Sequence, residues 1–364
     1  MTAPDGLFAG RVLGRGDTLF QGGNFRFTVK PDFLLDADRS FTLAADSSIT
    51  SVQFLEIRAP GAGNIAMLGP VDGFDFLGVA GNEFTIGAPI TMLGSNTGET
   101  SLTIVAGTRI INTAGAAPLS APNNRWLTYS VSPFDDVGEE LLEPDTFNLY
   151  NRAFAANPPA TILPLGASRR IYSFQPTLTL TAESATKRAG TEGPPLGFEV
   201  DGLVPGDLLA IALNGTPQVV SEGQPATASA GTYPTLFTPG LAASDQGYLL
   251  VLVPGLLTVE GAILMIRADD ITKLFGQADP ALTFTATGFL PGDDESILTG
   301  SLAREPGENV GVYAIQLGTL AAPGYEIQFT PGSFTISPAS LVVTADAQAK
   351  VYGDGDPALT FQVS

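Results

Sequence analysis

The chain has 364 residues, enough for several domains and a substantial core, and its 17 Lys and Arg against 37 Asp and Glu give a net charge of −20. That charge works against binding nucleic-acid phosphates or anionic lipid. With no cysteine and no histidine it can build no disulfide, no thiolate nucleophile and no imidazole base or metal ligand. A 44% hydrophobic and 15% charged composition excludes a charge-dominated disordered chain, and 42 Gly with 28 Pro predict short strands between frequent turns. No run reaches the ~18 apolar residues of a membrane span, so neither membrane insertion nor a nucleic-acid partner is expected.

Residues 1–122 read as short strands, NFRFTV (24–29), SFTLAA (40–45), VQFLEI (52–57), NEFTIG (82–87) and SLTIVAGTRII (101–111), separated by Gly-Gly, Asn-Thr and Ala-Asp-Ser turns. Their irregular spacing of roughly one coil predicts the end of a right-handed parallel β-helix, in which stacked coils bury a continuous apolar interior; an ordinary β-sandwich is the alternative. Residues 123–176 form an aromatic cap and connector containing NNRWLTYSVSPFDD and RRIYSFQP.

Beyond the connector the sequence repeats. LMIRADDITKLFGQADPALTFTAT (264–287) lies over LVVTADAQAKVYGDGDPALTFQVS (341–364) without a gap at an offset of 77, with 11 of 24 positions identical. A diverged copy starts at Leu178, offset by 86 at Lys187 and Lys273, and by 77 at Gly247 and Gly324. The difference predicts about nine extra residues in a loop around Asn214–Ala228 of the first copy. Period-2 alternation places Ile266 or Val343, Leu282, Phe284, Tyr313, Ile315, Ile327 and Phe329 on inward faces. The expected domains are 177–262, 263–339 and a truncated third, 340–364, each a small sandwich or grasp-like β-domain. The last segment is expected to be poorly ordered or to borrow partners from the preceding unit. The fold class is all-β throughout.

The segment Arg125-Trp126-Leu127-Thr128-Tyr129-Ser130, with Pro144, Asp145, Phe147, Tyr150 and Asn151 after it, resembles the junction in filamentous-haemagglutinin-type exoproteins of two-partner secretion systems. The repeats resemble the tandem MBG/YDG-type domains of such adhesins, with Lys350–Thr360 closest to their Lys-Val-Tyr-Gly-Asp-x-Asp-Pro-Ala-Leu-Thr signature. Lys187–Leu196 departs from it most, having Arg-Ala-Gly in place of Val-Tyr-Gly. The resemblance implies an extracellular or surface-exposed bacterial filament acting as a stiff rod and repeat stalk in adhesion or biofilm. It also implies an outer-membrane transporter as export partner and a host or bacterial surface glycan or protein as target, without naming the receptor.

Several residues invite a functional reading beside a structural one. Arg15-Gly16-Asp17 spells the integrin-read tripeptide, which a turn in a Gly- and Asp-rich chain also produces. Trp126 and Tyr129 can form a sugar-stacking platform or a bulky lid over the last apolar coil. Asp279, Asp354 and Asp356 suit Ca²⁺ or an Asx-type turn ending in Pro; no other cofactor is expected. The acidic pairs Asp135–Asp136, Glu139–Glu140 and Asp293–Asp294 keep open a polysaccharide-cleaving β-helix enzyme, although adjacent residues in extended chain face opposite ways. A non-enzymatic adhesin is the main reading, and a ligand-free spacer is the third.

Overall fold

The computed structural model describes residues 7–8, 12–14, 17–27, 32–35, 39–51, 54–94, 100–138, 147–163 and 167–364. They divide into two compact units. One comprises Met1–Ala182, Phe198–Gln218 and Phe237–Val253; the other comprises Glu183–Gly197, Val219–Leu236 and Pro254–Ser364.

The first unit opens with three parallel sheets visited in rotation. Phe41–Leu43, Ser48–Ser51 and Phe54–Ala59 make one coil, and Ile65–Met67, Val71–Gly73 and Asp75–Ala80 make the next. Register partners Phe41, Ile65, Phe84 and Ile110 stack in one column, 24, 19 and 26 residues apart. This is a parallel β-helix, and the sandwich alternative for this region is set aside because, among the described residues, every strand pairing within its three sheets is parallel. Alternation does the sorting: in Phe54–Ala59 and Asp75–Ala80 every second side chain is buried. The inward set, including Phe20, Phe25, Ile57, Phe76, Phe84 and Ile104, forms one cluster. At one corner the coils sit so close that a Cβ on Gly81 would lie 1.9 Å from Gly61 O, and one on Gly107 2.0 Å from Gly81 O. The same corner carries a side-chain ladder in which Thr108 Oγ1 donates to Asn82 Oδ1 (2.9 Å) and Asn82 Nδ2 donates to Asn64 Oδ1 (3.0 Å).

Also in this unit, Thr177–Ala182 lies between Phe198–Asp201, antiparallel, and Leu249–Val253, parallel. Its inner face, Leu178 and Leu180, packs with Tyr150, Tyr172, Val204 and Tyr248.

The second unit holds a four-stranded sheet from the first repeat and a whole second repeat. In the latter, Ala262–Ala268 pairs parallel with Tyr325–Thr330 and antiparallel with Phe284–Thr287. The chain then crosses to a second sheet, where Ile271–Leu274 pairs parallel with Gly332–Ser337, followed by Gly311–Gln316 and Ala303–Arg304. Leu264, Ile266, Ile315, Phe334 and Ile336 fill one core between the sheets, with Leu282, Phe284, Tyr313, Ile327 and Phe329 partly buried against it. In this repeat the inward face expected from alternation is the one observed, whereas Val343, expected inward in the third copy, is exposed because, among the described residues, its two-stranded sheet has no facing sheet to pack on. The crossing recurs in both repeats: Ser333 N donates to Asp270 Oδ1 (2.7 Å), and Leu256 N donates to Ser184 Oγ (3.0 Å) at the equivalent place.

Residues 177–262 are shared between the units, three-stranded sheet in one and four-stranded sheet in the other. The extra residues of the first repeat are spread out. Tyr233 faces Leu257 as Tyr313 faces Phe334, so six fall before Tyr233 and three after it. Val343–Ala345 and Phe361–Val363 pair with each other antiparallel as a separate two-stranded sheet with exposed side chains.

Candidate functional sites in the cap and the repeat turns

Strand Arg125–Ser130 is buried on both faces because the following chain returns across its outer side. Its register puts Trp126 on Leu102 and Leu102 on Phe76, all inside the β-helix. The next strand, Arg169–Tyr172, begins pairing at Leu127, so Trp126 ends that interior column; its amide donates to Ser168 Oγ (3.2 Å). On the other face Leu127 and Tyr129 pack with Val105, Leu149, Ile162 and Ile171. The Tyr129 hydroxyl donates to Asn157 O (3.0 Å), its ring meets Phe154 edge-on at 5.1 Å, and burial pushes its pKa up. Trp126 and Tyr129 are therefore 6% and 2% exposed on opposite faces and share no stacking surface.

Arg125, unmarked as a site residue by sequence, is the pin of this cap. Its guanidinium is fully buried, donating from Nε to Thr100 Oγ1 (2.8 Å), from Nη1 to Ile162 O (2.8 Å) and from Nη2 to Pro159 O (2.7 Å). Burial lowers its pKa, and the ring of acceptors holds the charge. Arg169 lies over the Phe147 ring at 4.5 Å and donates to Phe147 O.

A second polar cluster centres on Asp207. It accepts from the hydroxyls of Tyr150 (2.6 Å) and Tyr248 (2.7 Å) and from Asn148 Nδ2 (3.2 Å), while Tyr248 Oη accepts the amide of Val204 (2.9 Å). Burial, with the carboxylate, pushes both phenols up. The second repeat has the same device: Tyr325 donates to Asp293 (2.6 Å) and accepts from Leu290 N (2.7 Å). The offsets of 86 and 77 already align these residues, so the repeat alignment is the signal that could have found them.

The Asp-bearing turns gather around lysines. Lys273, 7% exposed, contacts Asp279 Oδ1 (2.6 Å) and Glu308 Oε2 (2.5 Å), and Arg304 contacts Asp279 Oδ2 (2.6 Å) and Glu308 Oε1 (2.5 Å), closing a four-charge ring. Arg304 and Lys273 hold the Asp279 carboxyl below its ordinary range, and Lys273 and Arg304 do the same for Glu308. Lys350 pairs with Asp356 at the equivalent spacing and approaches Asp354 O at 3.5 Å. In the first repeat Gly193 replaces the aspartate, and Lys187 donates instead to the carbonyls of Thr191 (2.9 Å), Gln224 (3.1 Å) and Pro225. The shared role is a lysine closing a turn. Among the described residues no group of three or more acidic side chains is placed to hold a metal ion. Arg15 and Gly16 lie outside the described residues; Asp17 is exposed and its Oδ1 accepts the Ser40 amide (2.9 Å).

Three of the paired acidic side chains have structural work. Asp136 accepts from Ile110 N (2.7 Å) and Ser130 Oγ (2.7 Å); Asp293 binds Tyr325, and Asp294 caps Ser296 N (2.8 Å). Glu139 and Glu140 lie outside the described residues. A cleft of about 780 Å³ beside the cap is lined by Phe147, Leu149, Thr161, Ile162 and Leu163 with Arg152 and a single carboxylate, Asp245. No described helix is long and apolar enough to cross a membrane.

No curated protein matches the chain. Residues 178–258 and 264–335 each match the family model of the MBG domain (YGX type), so the structure described above carries two tandem MBG-type repeats after a parallel β-helix and its cap.

Proposed function

We propose that this chain is a stalk segment of a filamentous-haemagglutinin-type adhesin, exported by two-partner secretion through an outer-membrane transporter and displayed at, or released from, a bacterial surface. The observation that carries the reading is the order of parts: a β-helix closed by a dedicated cap, then tandem MBG-type modules built on one repeated framework. Each repeat is stabilised by itself and its neighbour, which is how a repeat array extends without a new core. The role is non-enzymatic: it presents a binding surface for a host or bacterial glycan or protein, in adhesion or biofilm. The ligand-free spacer remains the second reading, favoured by the burial of Trp126 and Tyr129 and by the pairing of Asp279 and Asp356 with lysines.

The test is a glycan array on the full chain together with a Ca²⁺ titration of its melting temperature, and protease accessibility on intact cells producing it. Surface cleavage with glycan binding supports the adhesin; surface cleavage with neither glycan nor Ca²⁺ response leaves the spacer. A product confined to the cytoplasm would sink both.

A further inference from the structure

The two repeats meet through a small surface, and its counterpart on the second repeat is uncovered. In the first repeat, strand Ala185–Arg188 runs into Ala189 and Gly190. Ala189 is 5% exposed, in one apolar cluster with Val259, Ala262, Leu290 and Tyr325. A Cβ on Gly190 would lie 2.4 Å from Leu290 Cδ2, and Arg188 pairs with Glu326 (2.6 Å). One repeat thus offers a strand end and a glycine turn, and the next presents a Leu, a Tyr and the residue after that Tyr.

At the offset of 86 the strand end falls on Leu274, Phe275 and Gly276 of the second repeat, and the backbone is the same. Ala189 N donates to Glu260 O (2.9 Å) and Phe275 N to Ser337 O (2.8 Å), and Gly190 and Gly276 share φ +85°. The surroundings differ: Leu274 is 51% exposed and Phe275 49%. Tyr352 takes the same place in the third copy, so an aromatic residue precedes the turn glycine in both later copies. An exposed aromatic side chain just before a tight turn, beside an exposed leucine, offers a large apolar contact area to a partner.

We propose that Leu274 and Phe275 form the docking surface for one further MBG-type module, which would seat its equivalents of Leu290 and Tyr325 there as the second repeat does on Ala189 and Gly190. Leu274 stands where the first repeat has Arg188, so this surface offers no partner to a glutamate at the Glu326 position and suits an uncharged residue there, as Leu249 is in the first repeat. The inference rests on the internal symmetry of the chain and stands apart from the adhesive reading.

The experiment extends the full chain after Ser364 with a second copy of residues 288–339, which continues the third repeat because Ser364 aligns with Thr287. A parallel version replaces residues 340–364 with a whole copy of 263–339. Hydroxyl-radical labelling of Phe275 should fall about tenfold, as its exposure drops from 49% toward the 5% of Ala189. The added module carries a glutamate at the Glu326 position, so Leu274→Arg should recreate the ion pair and raise that module's melting temperature, and Phe275→Asp should lower it. Unchanged Phe275 labelling beside a third module that is folded by circular dichroism would overturn the proposal, as would a third module that stays unfolded in both versions.

Discussion

Replacing Arg125 by methionine asks how the cap is held. The side chain keeps its length and apolar stem but loses donors to Thr100, Ile162 and Pro159. Three charge-assisted hydrogen bonds at about 1.5–3 kcal/mol each sum to about 4.5–9 kcal/mol, and relief of the buried charge returns several kcal/mol. The net loss is about 3 kcal/mol, or about a hundredfold in the ratio of lifted to seated cap. Amide exchange of Arg125–Ser130 and native-state proteolysis across 153–163 read that ratio directly. Arg125→Lys retains the charge but reaches fewer acceptors and should fall between the two. Unchanged exchange and proteolysis in Arg125→Met would refute the claim that the guanidinium pins the segment.

Trp126→Ala should lower stability by about 3–5 kcal/mol, seen as a shift of the urea midpoint, because it empties the end of the interior column. Gly276→Ala should cost about 1–2 kcal/mol from its left-handed backbone alone, since nothing lies within 4 Å of the added methyl, whereas Gly190→Ala adds a clash with Leu290 and should cost more; equal melting shifts would contradict this. Asp279 and Glu308 have lowered folded pKa values, so their contribution is present above the ordinary carboxylate range and is lost as pH falls through the lowered values. The melting-temperature gap between the native chain and Asp279→Asn should therefore be full at pH 7 and close in acid, and a gap independent of pH would count against the ring. Tyr248→Phe removes the bridge between Asp207 and the Val204 amide and should cost about 1–3 kcal/mol in thermal unfolding.

Much of the architecture could be read from local pattern. Alternation placed Ile266 and Ile315 inside, and the 77-residue offset aligned turns that prove to share a lysine anchor and a positive-φ glycine. What escaped depends on distant partners. Arg304 lies 25 residues from Asp279, which the local sequence offers only as a Ca²⁺ ligand or an Asx-type turn, and Asp207, 57 residues from Tyr150, carries no local signal of a site. Trp126 and Tyr129 drew attention as a pair, yet three residues apart in a strand is an odd spacing that sends them to opposite faces. The cap was legible as a segment, 123–176, but its fastening was not, because the chain there follows no period: its position is set by carbonyls meeting one arginine.

The parallel pairing within the second repeat has a mechanical consequence. Its entering strands, Ala262–Ala268 and Ile271–Leu274, run alongside its leaving strands, Tyr325–Thr330 and Gly332–Ser337, in the same direction. A pull on the two ends of the repeat drags these strands past each other lengthwise, loading six register pairs in one sheet and four in the other together. The repeat should resist as a sheared joint and yield in one event; many small steps under constant force would contradict it. A tether built this way transmits load up to a threshold and lengthens only beyond it.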